Sequence, residues 1–293
     1  MSIPNIKDYI LVKDKQNGLF ITVDFAQMEL CALAEIARDE VLIEDLNNGL
    51  DIHRATAAEA LGKKLEDVTD KERRAAKSVN FGLIYGASAK TLAKNSGMDI
   101  NTVEKFIRRF YDRYSKVKRF HDNLKRLRKD FTDVNLLEAG VSYVKLNSLG
   151  TLIPTGREFI IYARASDDGS VYLPLTEMKN YPVQGFATGD LVPYVINHIL
   201  SIIRASNTEM SGEINLVSTV HDDFTLELDC AVDYEYVLSI IEYVFENLNV
   251  LFKKDFDFDL KIRYNYDVKI GTTFGDMQKY TRKEIKALIN SES

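Results

Sequence analysis

Several things are scarce in this 293-residue sequence, and each scarcity closes off a class of protein. Only two cysteines occur, Cys31 and Cys230, and no Cys-x-x-Cys pair exists, which leaves neither a disulfide framework nor a thiolate zinc site. The five prolines are scattered, and no repeat, low-complexity tract or Pro/Gly-rich linker interrupts the chain. No uninterrupted apolar run reaches the roughly 18 residues of a membrane-spanning helix. The first residues, Met-Ser-Ile-Pro-Asn-Ile-Lys, lack the basic-then-apolar layout of a secretory signal. With 45% hydrophobic and 28% charged residues, the expectation is an ordered, reduced, cytoplasmic chain with no membrane partner.

Positive charge is also in short supply: 38 Lys plus Arg against 44 Asp plus Glu give a net charge of −6. Duplex binders usually present a basic surface, so the average argues mildly against nucleic acid. The distribution argues otherwise. Thr102 to Lys129 carries Lys105, Arg108, Arg109, Arg113, Lys116, Lys118, Arg119, Lys125, Arg126, Arg128 and Lys129, opposed only by Glu104, Asp112 and Asp122. A polarised molecule can grip a polyanion on one face; a solvated helix face accounts for the same run equally well.

Hydrophobic periodicity predicts the elements. Leu19–Val23 reads as a strand ending at Asp24, Met28 to about Leu61 as helical, and Asp70–Lys94 and Ile100–Asp130 as further helical stretches. Leu146–Ile161 is β-like with a turn at Pro154-Thr-Gly156, and Ala187 to about Arg204 is helical. Leu216–Leu228 reads as two strands joined through His221-Asp222-Asp223, followed by a helix over Tyr234–Phe252. Phe256, Phe258, Leu260, Ile262, Tyr264 and Tyr266 alternate with polar residues, which predicts a half-buried strand. An antiparallel sheet backed by helices, an α+β fold, follows.

Two patterns carry chemistry. Asp24 ends a strand and Asp222 with Asp223 sits at a hairpin tip; brought together, such acids raise one another's pKa unless a cation lies between them. Hard oxygen donors without clustered His or Cys suit Mg²⁺. An ordinary polar turn and a helix N-cap explain the same residues. Second, Arg73, Lys77, Phe81 and Tyr85 recur every four residues, two cations then two aromatics on one helical stripe. Such a face can hold a triphosphate at one end and stack a base or sugar at the other. A surface helix with core aromatics is the plainer account.

Taken together the motifs resemble a known family. Asp24-Phe-Ala-Gln-Met-Glu-Leu30 is similar to the first palm motif of A-family (polymerase I-like) DNA polymerases, Asp-Tyr-Ser-Gln-Ile-Glu-Leu-Arg. Asp51-Ile-His-Arg-Ala-Thr-Ala-Ala58 resembles the family's Asp-Ile-His-x-x-Thr-Ala, and Arg73 to Gly86 its nucleotide-binding fingers helix. Asn180-Tyr-Pro-Val-Gln-Gly185 and Val220-His-Asp-Asp223 resemble Asn-x-Pro-x-Gln-Gly and Val-His-Asp-Glu. Gly271-Thr-Thr-Phe-Gly-Asp is similar to the closing Gly-x-x-Trp segment. All stand in the family's order.

The resemblance implies template-dependent DNA synthesis, with dNTPs added to a primer 3′-end by two-metal phosphoryl transfer. It implies palm over 1–33 and 171–293 and an inserted, mostly helical fingers subdomain over 34–170. Asp24 and Asp222 match the Mg²⁺ ligands, with Asp223 beside them as a further catalytic carboxylate. Arg73, His53 and Lys77 match the γ-, β- and α-phosphate contacts, and Phe81 and Tyr85 the surfaces for the incoming sugar and templating base. Phe at position 81 goes with rejection of dideoxynucleotides. Glu29 matches the steric gate against ribose, and Gln27 of the same motif is carried over as nucleotide-binding. Asn180 and Gln184 match residues near the terminal base pair and template, and His221 lies near the primer end.

The match departs at Cys31, Asp223 and Thr176, where many members have Arg, Glu and Arg. Only 23 residues precede Asp24, so the chain is expected to be either an engineered fragment or, the favoured reading, one half of a split or phage-like polymerase whose thumb, primer-grasping palm segment and exonuclease domain lie on a second polypeptide. The expected location is the nucleoid-associated cytoplasm, or the host's if phage-encoded. A catalytically impaired, polymerase-like DNA-binding subunit is the alternative.

Overall fold

The computed structural model describes residues 7, 10–13, 18–133, 143–146, 154–167, 170–206, 212–229 and 231–290. In chain order, β1 (Leu19–Phe25) is followed by α1 (Met28–Ala37), α2 (Glu40–Asn47), α3 (Ile52–Leu61), α4 (Asp70–Ile84), α5 (Ala89–Ser96), α6 (Ile100–Arg113) and α7 (Ser115–Asp133). Four short strands come next: β2 (Tyr143–Lys145), β3 (Ile160–Tyr162), β4 (Arg164–Ala165) and β5 (Val171–Tyr172). Then α8 (Leu175–Gln184), a π-helical segment (Gly185–Leu191), α9 (Val192–Ser206), β6 (Ile214–Val220), β7 (Asp223–Leu228), α10 (Tyr234–Phe256), β8 (Tyr266–Gly271), β9 (Gln278–Thr281) and α11 (Arg282–Asn290) complete the order. The chain forms two compact units, residues 1–28, 187–259 and 263–293, and residues 29–186 and 260–262.

The first unit holds an antiparallel five-stranded sheet in the order β6-β7-β1-β8-β9. Ile21, Val23 and Phe25 of β1 and Phe224, Leu226 and Leu228 of β7 are buried, and the Phe25 ring meets Phe245 of α10 at 4.9 Å. α10 buries Val237, Ile240, Ile241, Val244, Phe245 and Leu248, the stripe expected from the sequence, and continues to Phe256. Leu251 of that expected stripe is only half-buried. Strand period 2 thus meets helix period 3.6 in one core.

The strand expected over Phe256–Tyr266 is corrected. The alternating segment 256–266 is not one strand: Phe256 belongs to α10 and is exposed, and pairing begins only at Tyr266. Phe258, Leu260, Ile262 and Tyr264 are buried between exposed neighbours, so alternation correctly reported extended chain. In the second unit, the backbone at 261–262 is satisfied by side chains instead. The buried Glu35 carboxylate accepts the Lys261 and Ile262 N–H groups at 2.6 and 2.7 Å, and Asn47 Nδ2 donates to the Lys261 carbonyl at 2.8 Å.

The rest of the second unit is mostly helical, and its starts are written in the sequence. Thr69 and Glu72 form a reciprocal capping box at α4, while Asp39, Asp51, Ser88 and Asp99 cap α2, α3, α5 and α6 through side-chain oxygens. The helical run expected over Asp70–Lys94 breaks after Tyr85, where Gly86 takes a φ of +80°. A Cβ there would lie 3.1 Å from Lys179 Cδ, so this bend also requires close approach. Ala57, Val68, Ala76, Val79, Leu92, Val103 and Phe106 pack α3 to α6, and Leu124, Phe131, Leu146, Ile161, Leu173 and Met178 form a second core.

The helical stretch Leu175–Ser206 is long and apolar enough to cross a membrane by length and composition, with a mean hydropathy of 1.3 in its most apolar window. Pro182 and the π-helical segment interrupt it, and Val192, Val195, Ile196, Ile199 and Ile203 of α9 are spent on the core. Five cations of the basic run are also structural. Arg113 is clamped by Asp45 and Glu59, Lys116 by Glu40, Lys118 and Lys125 by Asp122, and Arg128 lies over the Tyr172 ring. Lys105, Arg108, Arg109, Arg119, Arg126 and Lys129 are exposed.

Candidate active site

β1 lies between β7 and β8, so Asp24 faces a carboxylate on each side: Asp223 on β7 and Asp267 on β8 are its in-register partners. Directly opposed residues share a face of the sheet and approach within about 4.5–5.5 Å. The hairpin turn is His221-Asp222, with His221 in the left-handed region at φ 57°, and Asp223 opens β7 rather than belonging to the turn. The Phe25 N–H donates to the Asp222 carbonyl at 3.1 Å, which fixes the turn beside the end of β1. Thr22 and Thr225 hydroxyls meet at 2.7 Å two residues deeper on the Asp24–Asp223 face.

Electrostatics follow from this register. Burial, and then the Asp24 charge, push the Asp223 carboxyl above its usual range, with Lys269 the largest opposing influence. Lys269 Nζ sits 3.0 Å from Asp24 Oδ2, and Lys279 Nζ 2.6 Å from Asp267 Oδ2. Sequence reasoning missed both lysines, because nothing in a single strand's alternation says which cation a neighbouring strand will supply. Among the described residues no group of three or more His, Cys, Asp or Glu side chains is arranged to hold a metal ion. The opposed pair Asp24 and Asp223 nevertheless offers hard oxygen donors of the kind that suits a cation taking its remaining ligands from water and phosphate, and such a cation would relieve the Asp24 charge that, after burial, raises Asp223.

The second constellation lies on α3 and α4. Asp51 caps α3 by accepting the His53 and Arg54 N–H groups at 3.1 and 3.0 Å, and its other oxygen pairs with Arg73 Nε. Burial pushes the Asp51 carboxyl up, but the Arg73 guanidinium and the Arg54 N–H outweigh it and hold it below the usual range. Burial lowers His53 to about 4, so its ring is neutral. The His53 and Phe81 rings lie 5.4 Å apart, Phe81 and Tyr85 6.4 Å apart, and Lys77 Nζ is 5.4 Å from the Phe81 centroid. Tyr85 donates its hydroxyl to Glu29 Oε1 at 3.2 Å, joining α1 to the end of α4. Arg73, Lys77, Phe81, Tyr85, His53 and Glu29 therefore form one connected group.

Gln27 is half-buried at φ 53° in the turn between β1 and α1. Asn180 and Gln184 lie on α8, where the Asn180 Oδ1 is buried without a partner. Gly185 follows because the Phe159 ring would overlap any Cβ there, at 2.2 Å. His221 is exposed at its turn. Cys31 is buried and its thiol is pushed far up, chiefly by burial and then by Glu35 and Glu29.

Comparison with known proteins supplies the family and the fold. Residues 3–276 match the sequence model of DNA polymerase family A. The chain is 32% identical over 226 residues to DNA polymerase I of Aquifex aeolicus (strain VF5), covering 75% of this chain and 34% of that protein. It is 44% identical over 99 residues to DNA polymerase I of Pseudomonas aeruginosa, 34% of this chain and 11% of that protein. Among solved structures, the POL domain of Pol1 from M. smegmatis, in complex with DNA primer-template and dNTP, aligns over 93% of this chain and 42% of that one. The TM-score is 0.63 at 21% identity, a likeness of fold. The chain spans about a third or less of the length of these curated relatives.

Proposed function

The chain belongs to DNA polymerase family A, and from that membership we propose that it is the nucleotide-adding portion of a template-dependent DNA polymerase. One observation carries the reading: the in-register opposition of Asp24 and Asp223 beside the Asp222 turn, which gathers distant acids at one sheet end. In this reading the sheet unit is palm, and the helical unit bearing α4 is fingers.

Asp24 and Asp222 would hold two Mg²⁺ ions, with Asp223 adjacent. When bound, these supply charge neutralisation for a primer 3′-oxygen attacking the α-phosphorus and for the departing pyrophosphate. The chain's own part is positioning. Lys77 and Arg73 meet the triphosphate, and Phe81 packs against the incoming sugar and base. Tyr85 sits by the templating base, and Glu29 excludes a 2′-hydroxyl. His53 meets the β-phosphate, with Gln27 also on the nucleotide. Asn180, Gln184 and His221 serve the primer-template. A thumb-bearing partner polypeptide and a cytoplasmic, nucleoid-associated setting belong to the same proposal.

A second reading, a DNA-binding subunit impaired in chemistry, is favoured by the Lys269 ammonium held against Asp24. Mg²⁺-dependent primer extension by this chain, with and without a thumb-containing partner, separates the two. Template-directed addition supports the first, and DNA binding without addition in either condition supports the second.

A further inference from the structure

Thr56, Asn80 and His53 form a directed chain of hydrogen bonds between α3 and α4. Thr56 Oγ1 donates to the Ile52 carbonyl at 2.7 Å, which leaves its oxygen an acceptor toward Asn80. The Asn80 amide nitrogen lies 3.1 Å from Thr56 Oγ1 and 3.2 Å from His53 Nδ1. Both amide protons are thereby assigned, and His53 Nδ1 has to accept. In a neutral imidazole the remaining proton then sits on Nε2.

The amide orientation is decided by what it leaves unpaired. As placed, the amide leaves one of its own atoms buried without a partner, Oδ1. Turned over, the same amide would bury two N–H donors without acceptors, the costlier outcome. His53 is 3% exposed, yet its Nε2 is not among the sealed polar atoms and has no partner among the described residues. The charged groups facing the ring are Asp51 at the start of α3 and Arg73 and Lys77 on α4. Burial, with both cations, outweighs Asp51 and keeps the ring neutral.

We propose that Asn80 is a positioning residue that locks His53 in its Nε2–H tautomer, so that His53 meets the triphosphate of an incoming nucleotide as a neutral hydrogen-bond donor rather than as an imidazolium. Arg73 and Lys77 already supply positive charge on this face, and a neutral donor adds direction without further like-charge repulsion. The identity of the ligand rests on the polymerase reading above; the tautomer does not.

Long-range ¹H–¹⁵N correlation spectra of the ¹⁵N-labelled full chain read the tautomer, with His53→Gln assigning the signal. The expected pattern is a protonated Nε2 and a bare Nδ1 from about pH 5.5 to 8. Asn80→Asp, whose carboxylate accepts from Nδ1, should move the proton to Nδ1 or produce an imidazolium. Thr56→Val, which frees the amide to turn, should give both tautomers. In primer extension, Asn80→Asp should raise the dNTP KM about 10- to 100-fold. A protonated Nδ1 in the wild-type spectrum overturns the proposal, as does an unchanged tautomer in a folded Asn80→Asp. Should that variant fail to fold, the wild-type and Thr56→Val spectra decide. If the wild-type chain extends no primer, the nucleotide assignment falls and the spectrum still decides the tautomer.

Discussion

Asp24 and Asp223 stand directly opposite one another on β1 and β7, and among the described residues the cation bonded to this pair is Lys269, 3.0 Å from Asp24. The pair is an unfavourable juxtaposition that the sheet register enforces. Its cost and its relief by a cation give the first two predictions.

Asp223→Asn should stabilise the fold at neutral pH while impairing catalysis. A carboxyl whose folded pKa lies above its unfolded value costs stability once ionised. That cost is absent below the ordinary value of 3.8, grows as pH rises through the folded value, and is fully present at pH 7. Because the group is partly solvated, the gain is up to about 1 kcal/mol after screening. Urea unfolding at pH 7 and near pH 3 measures it; an equal gain at both pH values would refute the electrostatic cause.

Lys269→Met removes the ammonium from Asp24 and leaves the acids to a divalent ion alone. The Mg²⁺ concentration for half-maximal primer extension should fall about two- to fivefold, the scale of a partly exposed ion pair. A Mg²⁺ titration of extension rate checks this. A rise in the half-maximal concentration would mean that Lys269 assists the ion instead of competing with it.

Glu29→Ala should admit ribonucleotides. Tyr85 holds Glu29 at 3.2 Å, so Tyr85→Phe should weaken the same discrimination to a lesser degree. Loss of selectivity for dNTP over rNTP of roughly 10- to 100-fold in kcat/KM is expected for Glu29→Ala. Single-nucleotide incorporation measures the ratio, and an unchanged ratio would remove Glu29 from the gate.

Glu35→Ala should destabilise the helical unit. Its carboxylate is fully buried, takes the N–H groups of Lys261 and Ile262, and pairs with Arg38 at 3.2 Å. Truncation strands a buried Ile262 donor and a part-buried Lys261 donor, a loss of about 3 kcal/mol. Denaturant unfolding should show the midpoint falling; a change under 1 kcal/mol, roughly the worth of a surface pair, would contradict the account.

The α+β class, the central strand, the hairpin and the long helix were legible because alternation and helical periodicity report burial directly. The motif order around Asp24, Arg73 and Asp222 pointed to the family. What the chain concealed was partnership. The pairing of Asp24 with both Asp223 and Asp267 depends on strand register, and Lys269, Asp51 and Asn80 act through residues far away in sequence. The segment 258–264 was misread for the same reason: extended chain was visible, but its hydrogen-bond partner, Glu35, was not.

The most direct measurement is Mg²⁺-dependent single-nucleotide extension of a primer-template by the wild type, Asp24→Asn and Asp222→Asn, each shown to be folded by circular dichroism. The account predicts extension by the wild type and a loss of about a thousandfold or more in either variant, the worth of several kcal/mol of charge stabilisation. Near wild-type extension by either Asn variant would contradict it.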